Sequence, residues 1–352
     1  MKIAQIAPLA ESCPPRLYGG TERVVANLTN ELVMLGHDVT LFASGDSQTL
    51  AELDAPCERA LRLSPRHRDP LAYLTIQLGR VVRRAHEFDA LHFHLDYPHF
   101  PAVAGFAERV LTTQHGRLDL PDLAAVVREF PSNAMVSISD SQRQPLPRAN
   151  WVATVYHGIP TTMHHMGHGG GGYLAFLGRI CPEKGVERAI AIAERTQVPL
   201  RLAAKVDRVD AAYFASTIQP LLHEPLVSHV GEIGDREKTR FLGDARALLF
   251  PIDWPEPFGL VMIEAMACGT PVIAWRRGSV PEIIQDGVTG FIVDSIDEAV
   301  AAVARLDELD RRMIRKVFEA RFSAARMADD YLRIYEAMPL TGVKRSGARD
   351  VA

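Results

Sequence analysis

The chain has 352 residues, too many for one ordinary hydrophobic core, and this length favours two domains of roughly 150 residues each. Hydrophobic residues make up 47% of it and charged residues 23%, a composition that excludes a disordered chain and suits buried parallel sheets. A net charge of -4 argues against a nucleic-acid partner, because affinity for phosphate backbones requires clustered lysine and arginine.

Cysteine usage and the N-terminus predict a cytoplasmic protein. The cysteines stand at four scattered positions: Cys13, Cys57, Cys181 and Cys268. Their spacing matches no zinc site, so we interpret them as reduced thiols. Residues 3–7 are strand-like rather than typical of a signal peptide, and no apolar run approaches the ~20 residues of a membrane-spanning helix. The basic cluster Arg80, Arg83 and Arg84 favours a solvated helix face over a membrane patch.

The first part of the chain alternates strand-like and helix-like segments. Residues 2–7 predict a buried strand, and Gly19 and Gly20 then precede a helix that Thr21 can cap. Further predicted segments are strands at 39–43, 90–94, 110–113, 134–138 and 152–156 and a helix at 71–86. Strand-helix-strand units of this length are typical of right-handed parallel crossovers.

Residues 164–172 separate two such series. Four consecutive glycines, 169–172, predict a hinge between a first domain at 1–163 and a second at 173–322. The three histidines of this segment have no acidic or cysteine partner nearby, so a linker is favoured over a metal site.

The second part repeats the alternation. Its predicted strands are 173–177, 200–204, 227–230, 247–250, 272–274 and 291–293, and its predicted helices are 186–196, 211–222, 236–243 and 260–267. Helical segments after residue 297 end near 338, and the tail 339–352 is expected to be flexible. The pattern predicts an α/β fold with two doubly wound Rossmann-like domains facing a central cleft.

Ligands of parallel α/β sheets bind at the carboxyl ends of strands, so the loops after strands hold the candidate residues. Arg179 and Lys184 share one such loop and could neutralise a diphosphate, although a solvated surface loop is the alternative. Gly19 and Gly20 could contact a phosphate or form a tight turn, and they lack the G-x-G-x-x-G spacing of dinucleotide dehydrogenases. Lys205 follows another strand and could reach a nucleotide or remain exposed.

Two carboxylates, Glu256 and Glu264, stand around the start of a predicted helix with seven residues between them. Phe258, Gly259 and Leu260 begin this helix, and their free N–H groups would attract an anion.

In the first domain, His115 follows a strand, as do His94 and Asp96, which could line an acceptor pocket; a structural role is the alternative for all three. No nucleophile elbow, P-loop or metal-protease motif favours a hydrolase or kinase.

In their order along the chain these motifs resemble those of the retaining glycosyltransferases of family 4, which have the GT-B fold. The motifs are Gly19-Gly20, Thr113-Gln114-His115-Gly116, Gly178-Arg179 with Lys184-Gly185, and Glu256-Pro257-Phe258-Gly259 with Glu264. The opening segment, with Tyr18-Gly19-Gly20-Thr21-Glu22, is also similar to a bacterial subgroup that includes pterin glucosyltransferases.

The resemblance implies a role for each motif. Glu264 would hold the ribose hydroxyls, and Arg179 with Lys184 the diphosphate. Glu256 and the amides of residues 258–260 would hold the donor sugar, which His115 would contact near the reaction centre. A C-terminal helix at about 323–338 would cross back onto the first domain.

The reaction implied is transfer of a hexose, best interpreted as glucose from UDP-glucose, with retention and with no metal or cofactor. The acceptor would attack from the face that the diphosphate leaves, and a phosphate oxygen would take its proton. The chain departs from the family where His157-Gly158-Ile159-Pro160 replaces a frequent Asn-Gly-Ile-Asp, and where Lys205 replaces a frequent glycine.

Two alternatives stay open on the sequence alone, a nucleotide-sugar epimerase of the same fold and a non-catalytic nucleotide-sugar sensor. The acceptor and the oligomeric state are not indicated.

Overall fold

The computed structural model describes residues 1–16, 19–62, 69–223 and 225–338. Within these residues the first sheet is parallel, with seven strands in the order β3-β2-β1-β4-β5-β6-β7. The strands are β1 Lys2–Ile6, β2 Asp38–Phe42, β3 Glu52–Asp54, β4 Ala90–Phe93, β5 Val110–Thr113, β6 Ala134–Ser137 and β7 Trp151–Thr154. The short edge strand β3 has no counterpart in the sequence prediction.

The second sheet of the described chain is also parallel and has six strands in the order β10-β9-β8-β11-β12-β13. The strands are β8 Leu174–Arg179, β9 Leu200–Lys205, β10 Val227–Gly231, β11 Ala247–Phe250, β12 Val272–Trp275 and β13 Gly290–Val293. In both sheets the order in which successive strands are added reverses beside the first strand, between β1 and β4 and between β8 and β11. These are the switch points where open α/β sheets bind ligands, and the predicted α/β architecture is confirmed.

Helices connect the strands and cover both sheets. They are α1 Gly20–Met34, α2 Pro70–Arg84, α3 Phe100–Val103, α4 Leu123–Glu129, α5 Asp140–Arg143, α6 Val186–Thr196, α7 Ala211–Tyr213, α8 Asp235–Asp244, α9 Leu260–Ala267, α10 Val280–Ile283, α11 Ile296–Ala304, α12 Arg311–Arg321 and α13 Ala324–Ala337. No helix in the described parts of the chain combines the length and the apolar character needed to cross a bilayer.

Two helix predictions were wrong in detail. Thr21 does not cap α1, because the helix already begins at Gly20 and its N-cap residue is Gly19. The helix predicted at 211–222 is divided into α7, a π-helical stretch Phe214–Ile218 and a 3-10 turn Gln219–Leu221. Pro220 lies in that turn, and proline cannot donate the backbone hydrogen bond that a continuing α-helix requires.

The glycine-rich segment 164–172 packs along the second domain. The amides of Gly167, Gly169 and Gly171 donate to backbone carbonyls of residues 268, 243 and 244 at 2.9–3.0 Å. A Cβ on Gly167 would lie 2.2 Å from the carbonyl oxygen of Gly243, so only glycine fits this approach. A hinge at this segment stays a prediction.

Helix α13 leaves the second domain and packs against the first. Its buried residues Met327, Ala328, Tyr331 and Tyr335 share a core cluster with Ile3 of β1 and with apolar residues of α1. Ser323 begins the helix by accepting a hydrogen bond from the amide of residue 326. The tail 339–352 and Tyr18 lie outside the described residues.

The two domains also contact each other around Glu282 of α10. Its carboxylate accepts hydrogen bonds from the amides of Asp140 and Ser141 at 2.7 and 2.8 Å, and from the hydroxyl of Tyr156 at 3.1 Å. The amides belong to the N-terminus of α5, where a negative charge is stabilised by the helix dipole. One second-domain carboxylate therefore joins two first-domain segments.

Candidate active site

A cavity of about 520 Å³ lies between the two domains, at the carboxyl ends of both sheets. Eleven of the residues predicted for the site line it: Gly19, Gly20, His115, Arg179, Lys184, Lys205, Glu256, Phe258, Gly259, Leu260 and Glu264. Loops that are distant in sequence meet here because each follows a strand at a switch point or the strand next to it.

Lys184 and Glu256 form an ion pair on the second-domain side of the cavity. Lys184 ends the 3-10 turn that follows β8, and Glu256 lies in the loop between β11 and α9. The indole nitrogen of Trp254 donates to the same Glu256 oxygen at 3.0 Å. The carboxylate is thus held in a fixed position by two donors, one of them charged.

Arg179, the last residue of β8, is surrounded by carboxylates. Its guanidinium lies 3.7 Å from Asp207 and 3.6 Å from Asp210, and Lys205 at the end of β9 lies 2.9 Å from Asp207. Two strand ends therefore bring two cations to one edge of the cavity. Their positive charge is offset by the acidic loop that follows β9.

Glu264 is buried on α9 and pairs with Lys238 of α8 across 2.9 Å. Burial raises the pKa of this carboxyl, but the charges of Lys238, Arg23 and His164 outweigh burial and leave the pKa below its usual value. Glu264 is therefore ionised at neutral pH. Sequence reasoning missed Lys238, although it lies three and four residues before Phe241 and Leu242 and so shares their inward face of the helix.

Gly259 sets the start of α9. It is the N-cap residue with a φ of 79°, and a Cβ there would also lie 2.9 Å from the side chain of Met262. Glycine is required because other residues rarely adopt this left-handed conformation. The first amides of α9 consequently lie at the cavity, where they have no partner within the helix.

On the first-domain side, Gly19 and Gly20 bring the start of α1 against the second domain. A Cβ on Gly20 would lie 3.4 Å from the side chain of Leu260, so the two helix starts approach closely. Arg23, one turn later, forms an ion pair with Asp235 at the N-terminus of α8. The cavity is closed along this edge by a contact between domains.

Histidines form the rest of the first-domain side. His115 stacks on His157 with ring centroids 5.1 Å apart, and His157 lies 4.8 Å from the ring of Phe258. Burial lowers the pKa of His115 to about 3 and that of His157 well below its usual value, so both rings are neutral. His157 is the residue that replaces a frequent asparagine of the family, and it was not predicted for the site.

His94 and Asp96 are not among the described residues that line the cavity. The His94 ring is buried behind His115, and its Nδ1 atom lies 2.8 Å from Nε2 of His115. Asp96 is exposed, and its backbone carbonyl accepts a hydrogen bond from the side chain of Gln114. A contact of either residue with an acceptor stays a prediction.

The described residues contain no group of three or more His, Cys, Asp or Glu side chains arranged to hold a metal ion. The polar atoms of the cavity instead suit an anionic ligand with hydroxyl groups. Cations and helix amides can bind phosphate oxygens, and the Glu264 carboxylate can accept from hydroxyls.

Comparisons with known proteins match the chain to glycosyltransferases. Two family models match consecutive parts of the chain, Glycosyltransferase Family 4 at residues 18–163 and Glycosyl transferases group 1 at residues 168–318. The alpha-maltose-1-phosphate synthase of Mycolicibacterium smegmatis is 24% identical, and the alignment covers 94% of this chain and 98% of the relative. The D-inositol 3-phosphate glycosyltransferase of the same organism is 29% identical over 66% of this chain and 58% of its own length.

Solved structures agree on the fold. The glycosyltransferase AviGT4, involved in avilamycin A biosynthesis, has a TM-score of 0.68 and 22% identity, with 95% of this chain and 97% of that chain covered. The Anabaena protein Alr3699/HepE in complex with UDP has a TM-score of 0.74 and 17% identity, with 96% and 100% covered.

The two sheets and these neighbours define a glycosyltransferase with the GT-B fold. The chain belongs to glycosyltransferase family 4.

Proposed function

We propose that the protein transfers a hexose, best assigned as glucose from UDP-glucose, to an acceptor with retention at the anomeric carbon. The observation that carries the proposal is the arrangement along one cavity wall. The cations Arg179 and Lys184, the start of α9 and the ionised Glu264 lie there together. A diphosphate fits the cations, and a ribose fits the carboxylate. HepE forms complexes with UDP and with UDP-glucose, which supports this donor.

In the proposed reaction the bond between the anomeric carbon and the diphosphate oxygen breaks, and negative charge grows on the departing diphosphate. Arg179, Lys184 and the amides at the start of α9 stabilise that charge. The acceptor oxygen bonds to the same face of the carbon, and its proton passes to a diphosphate oxygen. Lys184 and Trp254 bind Glu256 through one of its oxygens, so we assign it to holding the sugar rather than to attack.

Contacts between the domains suit a reaction from which water must be excluded. The Arg23–Asp235 pair, whose arginine lines the cavity, and the Glu282 hydrogen bonds both join the two domains. Exclusion of water limits hydrolysis of the donor and strengthens the electrostatic interactions inside.

The test is to incubate the purified protein with UDP-, GDP- and ADP-sugars, with and without EDTA, and to measure binding and release of nucleoside diphosphate. Selective binding of UDP-glucose with slow, chelator-insensitive release supports the proposal. Conversion of the donor without an acceptor would indicate an epimerase, and binding without turnover in an acceptor library would indicate a sensor. Failure to bind any donor would contradict the assigned nucleotide site.

A further inference from the structure

A chain of buried hydrogen bonds continues from His115 into the first domain. Nε2 of His115 lies 2.8 Å from Nδ1 of His94, and Nε2 of His94 lies 2.8 Å from the amide oxygen of Gln5. The amide nitrogen of Gln5 donates to the hydroxyl of Tyr335, on α13, at 3.0 Å. Gln5 of β1, the loops that follow β4 and β5, and the C-terminal helix are thereby joined.

The chemistry of these atoms decides which atom donates in each hydrogen bond. The amide oxygen of Gln5 can only accept, so Nε2 of His94 carries a proton. His94 is neutral, because burial lowers its pKa well below the usual value, and its Nδ1 atom is therefore an acceptor. Nε2 of His115 must then carry the proton that bonds to His94, which leaves Nδ1 of His115 unprotonated.

The hydrogen bonds that continue from Tyr335 to His92 and Thr113 are consistent with these donors and acceptors. The Tyr335 hydroxyl accepts from Gln5, so its single proton is available for Nδ1 of His92, 2.7 Å away. Nε2 of His92 then donates to the Thr113 hydroxyl, also at 2.7 Å. Each proton in these hydrogen bonds is donated once, and the orientation of the Gln5 amide fits both branches.

We propose that His94, held by Gln5, is a positioning residue that fixes the tautomer of His115 at the donor site proposed above. The His115 ring lines the cavity, and its Nδ1 atom has no hydrogen-bond partner among the described residues. In this tautomer Nδ1 accepts a hydrogen bond, so a donor-sugar hydroxyl that meets it must donate. His94 thus acts on the sugar through His115, not by contact with the acceptor.

The tautomer can be read by NMR on full-length protein labelled with ¹⁵N-histidine, with no substrate present. We expect a coupling across the N–H···N hydrogen bond between the two rings, with the proton on Nε2 of His115. Signals are assigned from their loss in His115→Phe and His94→Phe. A proton on Nδ1 of His94, or no coupling between the rings, would overturn the proposal.

Variants at position 94 test whether His94 sets the tautomer. In His94→Phe the Nδ1-protonated fraction of His115 should rise, whereas in His94→Gln a side-chain oxygen can still accept and the tautomer should be kept. His99→Phe is the matched control, because His99 is buried in the same domain and bonds to Thr112 instead. An unchanged His115 tautomer in a folded His94→Phe protein would contradict the assignment.

Kinetics supply a second readout, UDP release from UDP-glucose. We expect His94→Phe to lower kcat about five- to tenfold, the effect of one misoriented hydrogen bond, with UDP binding unchanged. His94→Gln should retain most of the activity, and equal losses in both variants would oppose a positioning role. If the wild-type protein neither binds nor hydrolyses UDP-glucose, the proposed donor fails, and the NMR spectra alone decide on His94.

Discussion

The two walls of the cavity differ in their polar side chains, which form ion pairs on one wall and are neutral histidines on the other. The second-domain wall is built from ion pairs, Lys184 with Glu256 and Lys238 with Glu264. The first-domain wall presents His115 and His157, whose pKa values burial lowers so far that both rings are neutral. The charged second-domain wall therefore faces two neutral rings, and Glu22, Arg23 and Arg62 of the first domain also line the cavity.

The difference follows from what surrounds each wall. A buried charge is costly unless a partner and further hydrogen bonds compensate it, and α8 and α9 supply those partners from adjacent elements. The histidines have other histidines and amides as neighbours, so they stay neutral and bind through hydrogen bonds. The comparison teaches that the second domain holds its buried polar groups as ion pairs, whereas burial keeps the histidines of the first domain neutral.

The largest effect is expected when a cation of the charged wall is removed at the proposed phosphate site. Arg179→Ala should lower kcat for nucleoside diphosphate release about 100- to 1000-fold, the usual cost of removing one group that stabilises transition-state charge. Steady-state kinetics measure it. Arg188→Ala is the control, because Arg188 pairs with Asp253 at 3.0 Å and is not among the cavity-lining residues described. A loss below tenfold for Arg179→Ala would move the diphosphate site elsewhere.

A smaller effect is expected at the proposed ribose site. Glu264→Ala should weaken UDP binding about 100-fold, because hydrogen bonds to a charged group contribute about 1.5–3 kcal/mol. Isothermal titration calorimetry measures it. Glu264→Gln keeps the side-chain volume and should lose less, and wild-type binding in both variants would contradict the assignment of this carboxylate.

The partner of Glu264 can be tested through stability. Lys238→Met leaves a buried carboxylate without its cation and should lower the free energy of unfolding by about 3 kcal/mol, measured by urea denaturation. The double variant Lys238→Met/Glu264→Gln should recover part of the loss, because it removes the unpaired charge. Lys316→Met, at an exposed lysine of α12, is the control and should change little.

Acid should remove the contributions of the two walls to the free energy of unfolding in different pH ranges. Burial keeps the folded-state pKa of His115 near 3, so the unfolded chain binds the proton first and stability falls as pH drops below about 6.5. Each such histidine contributes a slope of about 1.4 kcal/mol per pH unit. The Glu264 pKa is lowered from 4.5, so its contribution is present above that pH and is lost only as pH falls through the lower folded value.

Thermal unfolding between pH 4 and pH 8 measures this difference. We expect the midpoint to decrease from pH 6.5 downwards and His99→Phe to make the decrease shallower, because burial also lowers the pKa of His99 to about 3. A midpoint that stays flat down to pH 5 would show that the histidines are protonated in the folded protein.

The smallest effect is expected from EDTA, which should change nucleoside diphosphate release less than twofold. Arg179, Lys184 and the start of α9 supply positive charge where the proposed chemistry needs it. Assays with EDTA, and with Mg²⁺ or Mn²⁺ restored afterwards, measure it. A large loss that a metal ion restores would mean that the charged wall is incomplete without the ion.

Much of the architecture could be predicted, because periodicity and strand-end position are local properties. The bounds of α6, α9 and β11 agree with the sequence prediction residue for residue. Arg179 and Lys184 were predicted from the loop that follows a strand, and the switch-point rule brings such loops to one edge. Where Pro220 and the short strand β3 interrupt the pattern, local reasoning was wrong or silent.

The amino-acid sequence by itself determined the alternation of strands and helices, the glycine at the start of α9 and the two carboxylates with seven residues between them. Only the tertiary structure decided which partners these groups meet. Gln5 and Tyr335 are 330 residues apart along the chain and share a hydrogen bond, and Lys238 finds Glu264 from another helix. Such pairings depend on how whole elements pack, because burial and side-chain direction at long range leave no local pattern in the sequence.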